Sequence, residues 1–579
     1  MPASLALTIG QWSTSGAKTE NQDFHGAMVP DEPQLSTKGI AIALADGIGS
    51  SVFGREAAEA AVKSFLTDYY CTADSWAVKT SATRVIRAVN SWLSAQSRRG
   101  PHPHDRDRGH VATFDALVFK SRTLHLFHVG DAGVFRLSGR SLEALSEPHR
   151  VTVDGGATVL ARALGADREV EIDHREVPID RGDVFYLATD GVWEHVPPTV
   201  VADAVAAHPD DLDAAARAIV EEAQARGSPD NLTVQLVRVD AVPTGDAGEV
   251  LGGALDLALP PPLDARALFE GYRILRTLHR SHRSHVHLAV DLATDEKVVL
   301  KTPSTEMAQD PAQLRRFAME EWIARRIDSA HVLKAHPPAR RRDHLFVAME
   351  FVEGRTLAQW MIDHPEPDLD TVRDIVDQIA KGLRAFHRRE MLHRDLRPEN
   401  VMIDRDGVVK IIDFGSARIA GVAETASTLR DAEILGTLQY TAPECFLGEP
   451  ATTVSDLFSL GVITYQLMTG RLPYGADASK IRTPADRRRL RYVSARDADG
   501  RVPMWVDAVL ARAVDPDPAR RPQVLSEFLH DLRRPGPRER AAARRPLIER
   551  DPVLFWKAVS GLLATALVAL LVARRIGWF

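Results

Sequence analysis

The sequence predicts an α+β protein of several domains that ends in one transmembrane helix, and three observations support this fold class. The chain has 579 residues, more than one hydrophobic core usually organises. In its first third, short apolar runs such as 40–45 and 184–187 lie apart from two helical stretches at 55–70 and 81–98. Separate blocks of strands and helices are typical of antiparallel sheets in an α+β domain. Residues 553–573 form an apolar run of 21 residues, long enough for a bilayer core.

The composition gives no indication of a nucleic-acid-binding protein or of a cysteine-based metal or redox site. The net charge of -7 and the charged content of 26% are ordinary for a globular protein. A nucleic-acid partner is not expected, because the chain lacks the basic footprint that such binding requires. Cys71 and Cys445 are far apart in the sequence and match no metal or redox spacing, so we expect reduced thiols. The first residues do not have the pattern of a signal peptide.

Acidic residues recur at the ends of strand-like runs in the first 240 residues. They are Asp23, Asp46, Asp131, Asp190 and Asp230, most of them beside glycine or asparagine. Any one Asp-Gly pair is more often a turn than a site. Five such strand-end acids in one block, without histidine or cysteine, favour a site for hard cations such as Mg²⁺ or Mn²⁺.

This block, residues 1–240, resembles the PPM family of metal-dependent serine/threonine phosphatases. The resemblance implies a β-sandwich flanked by helices and two bound Mg²⁺ or Mn²⁺ ions. Asp46 is then expected to bridge the two ions, and Asp23 to act through water. The carbonyl of Gly47 contacts one ion, and Asp190 and Asp230 hold the other. Lys18 stands where the family has an arginine that binds the substrate phosphate, so a bidentate contact becomes a single charge.

A second pattern lies at 393–400, where His-Arg-Asp-Leu-Arg-Pro-Glu-Asn is followed after twelve residues by Asp-Phe-Gly at 413–415. Such a stretch offers an acid to receive a hydroxyl proton, a cation for the γ-phosphate and two oxygen ligands for magnesium. A polar turn followed by a surface loop would explain single residues of this set, but not all of them in order. The pattern resembles the protein kinase family.

The kinase resemblance covers residues 269–535 and implies a bilobal fold that binds ATP with Mg²⁺. Asp395 is expected to be the catalytic base, Arg397 to face the γ-phosphate, and Asn400 and Asp413 to hold Mg²⁺. Two further groups of residues match the family: Lys301 and Glu320 as the ion pair at the ATP phosphates, and Val286, Glu350 and Val352 as nucleotide contacts, the last two in the hinge between lobes.

The loop over the ATP phosphates departs from the family. His279, Ser281 and Ser284 occupy the places of its three glycines, and a side chain forced into a glycine conformation costs about 1–3 kcal/mol. Two hypotheses follow. The chain is either a bifunctional serine/threonine kinase and phosphatase that acts on proteins, or a phosphatase regulated by a pseudokinase that senses nucleotide or acts as a scaffold.

The remaining segments connect and anchor these domains. Residues 241–268 contain Gly-Gly and three prolines and are predicted to form a loose linker. A basic juxtamembrane segment, 536–552, precedes the predicted transmembrane helix at 553–573. We therefore expect a single-pass membrane protein with both catalytic domains in the cytoplasm. Thr425, Ser427 and Thr428 are the expected regulatory phosphate acceptors, and the oligomeric state is left open.

Overall fold

The computed structural model describes residues 4–48, 51–101, 108–152, 158–243, 251, 254–281, 283–307, 310–336, 341–423, 439–496, 501–534 and 552–575. The expected phosphate acceptors Thr425, Ser427 and Thr428, and nearly all of the basic segment 536–552, lie outside these residues.

Two antiparallel sheets, each of five strands among the described residues, form the centre of the N-terminal part. The strands of this part are β1 Ala6–Thr14, β2 Asp23–Met28, β3 Ile40–Asp46, β4 Phe114–Lys120, β5 Thr123–Val129, β6 Gly133–Ser138, β7 Ser141–Ala144, β8 Arg150–Thr152, β9 Thr158–Leu160, β10 Asp173–Pro178, β11 Val184–Ala188 and β12 Leu232–Ala241. One sheet has the order β1-β12-β11-β6-β7 and the other β10-β5-β4-β3-β2, while β8 and β9 form a separate hairpin.

Helices cover the outer face of each sheet. They are α1 Gln34–Lys38, α2 Gly54–Cys71, α3 Val78–Arg99, α4 Asp190–Trp193, α5 Pro198–Ala207 and α6 Leu212–Ala225. Successive side chains of β3 point to opposite faces. Ile40 and Ile42 lie in the core between the sheets, whereas the small side chains of Ala41 and Ala43 let α2 and α3 pack closely on the other face. The result is the predicted sandwich flanked by helices.

The C-terminal part has a strand-rich lobe followed by a helical one. Its strands are β13 Leu268–Phe269, β14 Tyr272–Arg280, β15 Ser284–Asp291, β16 Lys297–Pro303, β17 Val347–Glu350, β18 Gly354–Thr356, β19 Met391–Leu392, β20 Val401–Asp404, β21 Val409–Ile411 and β22 Arg418–Ile419. Its helices are α7 Pro311–Ala324, α8 Leu357–Asp363, α9 Leu369–His387, α10 Ala420–Ala423, α11 Pro443–Phe446, α12 Thr453–Thr469, α13 Pro484–Arg489, α14 Met504–Ala513 and α15 Leu525–Arg533. Strands β13 to β17 form one antiparallel sheet in sequence order.

The predicted linker is more ordered than its composition suggests. Leu251 and Leu263 are buried and join the hydrophobic cores of the C-terminal part. The carbonyl of Ala258 accepts a hydrogen bond from the Leu345 amide at 2.8 Å. The leucines explain the difference, because burying their side chains against the strand-rich lobe is more favourable than leaving them in water.

The two parts of the chain touch at a surface that we call the interdomain contact. The Glu390 carboxylate accepts a hydrogen bond from the Ala77 amide at 2.9 Å. The Gly421 amide donates to the Ser75 carbonyl at 2.9 Å, and the buried Lys120 ammonium donates to the Gly421 carbonyl at 2.6 Å. The loop between α2 and α3 thus packs against the segment that follows the Asp-Phe-Gly motif.

The last described element is the helix α16, Pro552–Arg575. Within the described part of the chain, no helix combines the length and the apolar character that crossing a membrane requires. The segment is helical as expected, but its role as a transmembrane anchor is not supported.

Candidate active sites

Acidic side chains from separate strands meet at one edge of the sandwich. Asp23 and Asp46 are register partners on β2 and β3. Asp190 begins α4 directly after β11, and Asp230 lies just before β12. A Cβ atom on Gly191 would lie 2.3 Å from the Asn231 carbonyl oxygen, so glycine is needed for these two chain segments to approach.

The pKa values in this cluster are raised, because carboxylates are buried together without enough positive charge. Burial, followed by the charges of Asp23 and Asp190, raises the pKa of Asp46 well above its ordinary value. Burial, followed by the charge of Asp131, raises the pKa of Asp190 to about 7. The pKa of Asp23 rises to about 6, again chiefly through burial. A bound cation would relieve this repulsion.

Asp23 also has an unused ligand atom. Its Oδ2 accepts hydrogen bonds from the hydroxyls of Thr233 at 2.6 Å and Thr189 at 3.1 Å. Its buried Oδ1 has no hydrogen-bond partner among the described residues. An oxygen-only donor set with an orphaned carboxylate oxygen suits a hard dication. The structure therefore places all five predicted phosphatase metal-site residues together: Asp23, Asp46, Gly47, Asp190 and Asp230.

Sequence reasoning missed two charged residues of this site, Arg150 and Glu194. Arg150 donates from Nε to Asp131 at 2.7 Å and from a terminal nitrogen to Asp190 at 2.8 Å, and it also pairs with Glu194. The sequence marks Asp131 as a strand-end acid, but the predicted metal site does not include it. Arg150 stands in no motif, so its role depends on the fold.

Lys18, the expected phosphate-binding residue, lies at the rim of the same cluster. Its ammonium is 3.1 Å from Asp230 Oδ1, and both side chains are about two-fifths exposed (42% and 41%). A cation beside the carboxylates and open to solvent is accessible to a substrate phosphate.

The second site is a cleft of about 620 Å³ in the C-terminal part. Most of the predicted kinase residues line it: Val286, Lys301, Glu320, Glu350, Val352, Asp395, Asn400 and Asp413. Arg397 was expected to face the γ-phosphate, but its Nε donates to Glu399 at 2.7 Å. Arg397 is not among the described residues that line the cleft.

Lys301 joins the two acidic residues at the back of this cleft. Its ammonium lies 2.6 Å from Glu320 and 3.7 Å from Asp413. Burial opposes the charge on Lys301, but Asp413 and Glu320 outweigh it and raise its pKa. The lysine therefore stays cationic, as binding of ATP phosphates requires. Glu321 instead pairs with Arg325 and Arg342 outside this array.

The side chain and the amide of the hinge residue Glu350 are both engaged within the protein. The carboxylate pairs with Lys410 at 2.7 Å, and the amide donates to the Lys334 carbonyl at 3.0 Å. The side chain thus anchors the hinge to the second lobe.

The catalytic loop is held from beneath by a buried carboxylate. Asp456 accepts hydrogen bonds from the amides of His393 and Arg394, both at 2.9 Å. This clamp stabilises a strained turn, since Arg394 has φ of 65°. Within the loop, Asn400 Nδ2 donates to Asp395 Oδ2 at 3.3 Å. The expected proton acceptor and one expected magnesium ligand thus lie side by side.

The phosphate loop avoids the strain that its lack of glycine predicts. His279, Ser281, Arg283 and Ser284 are described, and none of them has a positive φ. The Ser281 hydroxyl accepts the amides of Arg283 at 3.3 Å and Ser284 at 3.1 Å. The serine side chain therefore closes the turn by hydrogen bonding, and the expected strain is not found at the described residues.

Comparison with known families matches both parts of the chain. Residues 13–236 match the family described as Protein phosphatase 2C, and residues 272–548 match the Protein kinase domain.

Curated relatives cover the C-terminal part. PknL of Mycobacterium tuberculosis, a serine/threonine-protein kinase, is 30% identical over 308 residues, which are 50% of this chain and 75% of PknL. PknA of Corynebacterium glutamicum is 36% identical over 36% of this chain and 45% of PknA. PrkC of Bacillus subtilis is 28% identical over 48% of this chain. The chain spans less than half of the length of PknA and of PrkC (45% and 43%).

Solved structures resemble each part. The PknI kinase domain of Mycobacterium tuberculosis is 28% identical, with a TM-score of 0.36, over 47% of this chain and 99% of that chain. The serine/threonine phosphatase PstP of the same organism is 22% identical, with a TM-score of 0.35, over 41% of this chain and 99% of that one.

Proposed function

Because the chain belongs to the serine/threonine-protein kinase family and also carries a protein phosphatase 2C domain, we propose that it transfers phosphate from ATP to protein hydroxyls and also hydrolyses phosphoserine or phosphothreonine. One observation carries this proposal. Each domain assembles its own set of chemical groups, one around the carboxylate cluster and one around the Lys301–Glu320 pair.

In the kinase cleft, each residue has a separable task. Lys301 holds the ATP phosphates, and Glu320 fixes the position of Lys301. Asp395 accepts the proton of the substrate hydroxyl. Asn400 and Asp413 would hold Mg²⁺, which when bound neutralises charge on the phosphates. The formed ion pair and the unstrained phosphate loop favour an active kinase over the pseudokinase alternative.

In the phosphatase site, Asp46 and its neighbouring carboxylates would hold two Mg²⁺ or Mn²⁺ ions. Bound dications supply Lewis acidity and neutralise the substrate phosphate. Asp23 retains a free acceptor oxygen toward the site, and Lys18 offers a positive charge at the rim. The substrate class is protein phosphoserine or phosphothreonine.

Two substitutions separate the activities in the full-length chain. Asp46→Asn should abolish Mn²⁺-dependent hydrolysis of a phosphothreonine peptide while leaving phosphate transfer from ATP to a serine/threonine peptide intact, and Asp395→Asn should do the reverse. A parent chain that transfers no phosphate, although it binds ATP and hydrolyses the phosphopeptide, would establish the pseudokinase reading instead.

The localisation as a single-pass membrane protein with both catalytic domains in the cytoplasm remains a prediction from the sequence. Recovery of the full-length chain in the carbonate-resistant membrane fraction, with both domains accessible only from the cytoplasmic side, would support it. Recovery in the supernatant would contradict it.

A further inference from the structure

Three ligand-type side chains gather on the sandwich, away from both active sites. His125 on β5 is the register partner of Glu176 on β10, and His174 lies two residues before Glu176. Side chains two apart on a strand share a face. The candidate ligand atoms of His125, His174 and Glu176 all lie within 4.8 Å of one another. Glu176 Oε1 is 3.7 Å from His125 Nδ1 and 4.0 Å from His174 Nε2.

The hydrogen bonding of these histidines is incomplete. The His125 side chain is 2% exposed, and neither of its ring nitrogens has a hydrogen-bond partner among the described residues. His174 Nε2 is buried without one as well. Aromatic packing explains part of the arrangement, since the His125 and His174 rings stack at 5.7 Å. It does not explain three buried nitrogens without partners, which are costly in a folded protein.

The protonation state of the cluster suits ligation. Burial, followed by the charges of His174 and Lys120, lowers the pKa of His125 to about 3. Burial also lowers the pKa of His174. Both imidazoles are therefore neutral near pH 7, the form that donates a lone pair to a metal.

We propose that His125, His174 and Glu176 bind one transition-metal dication, with Zn²⁺ the best match. Two imidazoles and one carboxylate with a position left for water form a recurrent three-ligand zinc set. Ligand atoms about 2.0–2.1 Å from a tetrahedral zinc lie about 3.3–3.4 Å apart. The observed separations from Glu176 therefore require shifts of well under 1 Å. Mg²⁺ and Ca²⁺ prefer sites made of oxygen alone.

The surroundings separate this site from the phosphatase centre and place it near the kinase domain. His125 lies four residues before the end of β5 at Val129, about 13 Å at the rise of an extended strand, and Asp131 lies beyond that end. Lys120 and Lys79 are the nearby cations that would oppose a bound metal. The Lys120 ammonium is directed to the Gly421 carbonyl at 2.6 Å. The partly exposed Glu176 carboxylate contributes a negative charge that would attract a bound metal ion. A metal here would tie the edge strand β10 to β5 beside the interdomain contact.

The test is a Zn²⁺ titration of the full-length, metal-stripped chain in competition with a chromophoric chelator. The parent should bind one more equivalent of Zn²⁺ than Glu176→Gln and His174→Gln, or bind that equivalent at least tenfold more tightly. Glu171→Gln is the matched control, because Glu171 is an exposed acid of the same segment that pairs with Arg162. It should behave like the parent. Zinc bound at the carboxylate centre is common to all four proteins and cancels in the comparison.

Co²⁺ provides a readout independent of stoichiometry. The parent and Glu171→Gln should show the intense visible d–d absorption of a low-symmetry nitrogen and oxygen site, which Glu176→Gln should lose. Circular dichroism of the metal-free variants identifies any that fail to fold, and Glu176→Gln, a substitution at an exposed position, is the decisive one. Equal Zn²⁺ stoichiometry and affinity in the parent and a folded Glu176→Gln would overturn the proposal.

Discussion

Arg150 acts as an internal counter-ion in the phosphatase site, because its guanidinium pairs with the carboxylates of Asp131 and Asp190. Asp190 is also an expected metal ligand. A metal that takes Asp190 must compete with this guanidinium. We predict that Arg150→Ala lowers the Mn²⁺ concentration for half-maximal binding by roughly three- to tenfold, equivalent to about 0.7–1.4 kcal/mol. Isothermal titration calorimetry with Mn²⁺ measures this change in affinity. Arg140→Ala is the control, because Arg140 pairs with Asp203 on the surface. Weaker Mn²⁺ binding in Arg150→Ala would show that the arginine organises the site instead.

The raised pKa of Asp190 makes the stability of the metal-free protein depend on pH. Its folded pKa of about 7 exceeds the ordinary value of 3.8, so the folded chain binds more protons than the unfolded chain between these values. Stability therefore falls as pH rises through that window. Asp190→Asn lacks this penalty. We predict that its melting temperature rises relative to the parent as the pH increases from about 4 to about 7, as differential scanning calorimetry in the presence of a chelator would show. A difference independent of pH would contradict the assignment.

The residues of both sites differ in how far the sequence reveals them. The acids next to glycine and the His-Arg-Asp and Asp-Phe-Gly motifs are local patterns, and the structure places nearly all of them together. Arg150 lies on β8 and Glu194 directly follows α4, and the path of the chain that brings them to the phosphatase site is encoded by no spacing. Arg397 has the expected position in the sequence, but its Nε donates a hydrogen bond to Glu399.

At the scale of elements, a buried ion pair in the helical lobe connects α11 to the segment before α15. Arg521 and Glu444 are 2.7 Å apart, and their side chains are 0% and 3% exposed. Removing one partner leaves a buried charge without compensation, which typically costs about 3–5 kcal/mol. We predict this loss for Arg521→Ala in the urea unfolding of the kinase domain.

Arg520→Ala is the matched control for that measurement. Arg520 is the next residue, but its side chain is 74% exposed and its nearest carboxylate, on Asp517, is 3.7 Å away. A surface pair of this kind contributes little. Equal destabilisation by both substitutions would mean that the buried pair has no special role.

Periodicity identified elements better than it identified their connections. The two long helices of the sandwich follow from apolar residues at three- and four-residue steps, and their observed bounds, Gly54–Cys71 and Val78–Arg99, lie within a few residues of those expected. The linker was harder to predict, since its glycines and prolines suggest a tether while Leu251 and Leu263 find hydrophobic partners distant in sequence. Tertiary burial of this kind leaves no local signal.

At the scale of the whole molecule, the interdomain contact and the phosphatase centre lie at opposite ends of α2. The helix starts beside Gly47. The two segments are so close that a Cβ atom added to Gly47 would lie 2.3 Å from the carbonyl carbon of Gly54, the first residue of α2. Its 18 residues span about 27 Å before the chain reaches Ser75. The interdomain contact therefore holds Gly421, which precedes the expected acceptor Thr425 by four residues in the sequence, at the end of α2 away from the phosphatase carboxylates.

A flexible linker would let the phosphatase remove phosphate from Thr425 within the same molecule. Because the interdomain contact holds Gly421 away from the carboxylates, we predict instead that this phosphate is removed between molecules. Phosphorylated Asp46→Asn chain mixed with unphosphorylated Asp395→Asn chain should lose phosphate at a rate proportional to the concentration of the second protein. Glu390→Ala, which removes an acceptor of the Ala77 amide, should weaken the contact and favour removal within one molecule. A parent chain that removes this phosphate at a rate independent of its concentration would contradict the docked arrangement.

The sequence reveals the two domains but not how they meet. Kinase and phosphatase motifs are local and each predicts its own fold. The contact depends on backbone carbonyls and amides at Ser75, Ala77 and Gly421, and backbone groups have no residue-type signature. Lys120 shows the same limit, because a lysine at the end of a strand gives no sign that it will be buried against another domain.

A chain that carries two opposing activities should limit its own phosphorylation. The direct measurement is the amount of phosphate retained by the full-length chain after incubation with labelled ATP, Mg²⁺ and Mn²⁺. Asp46→Asn should accumulate phosphate, the parent should retain much less, and Asp46→Asn combined with Asp395→Asn should retain none. Equal labelling of the parent and Asp46→Asn, or labelling that survives Asp395→Asn, would contradict the bifunctional assignment.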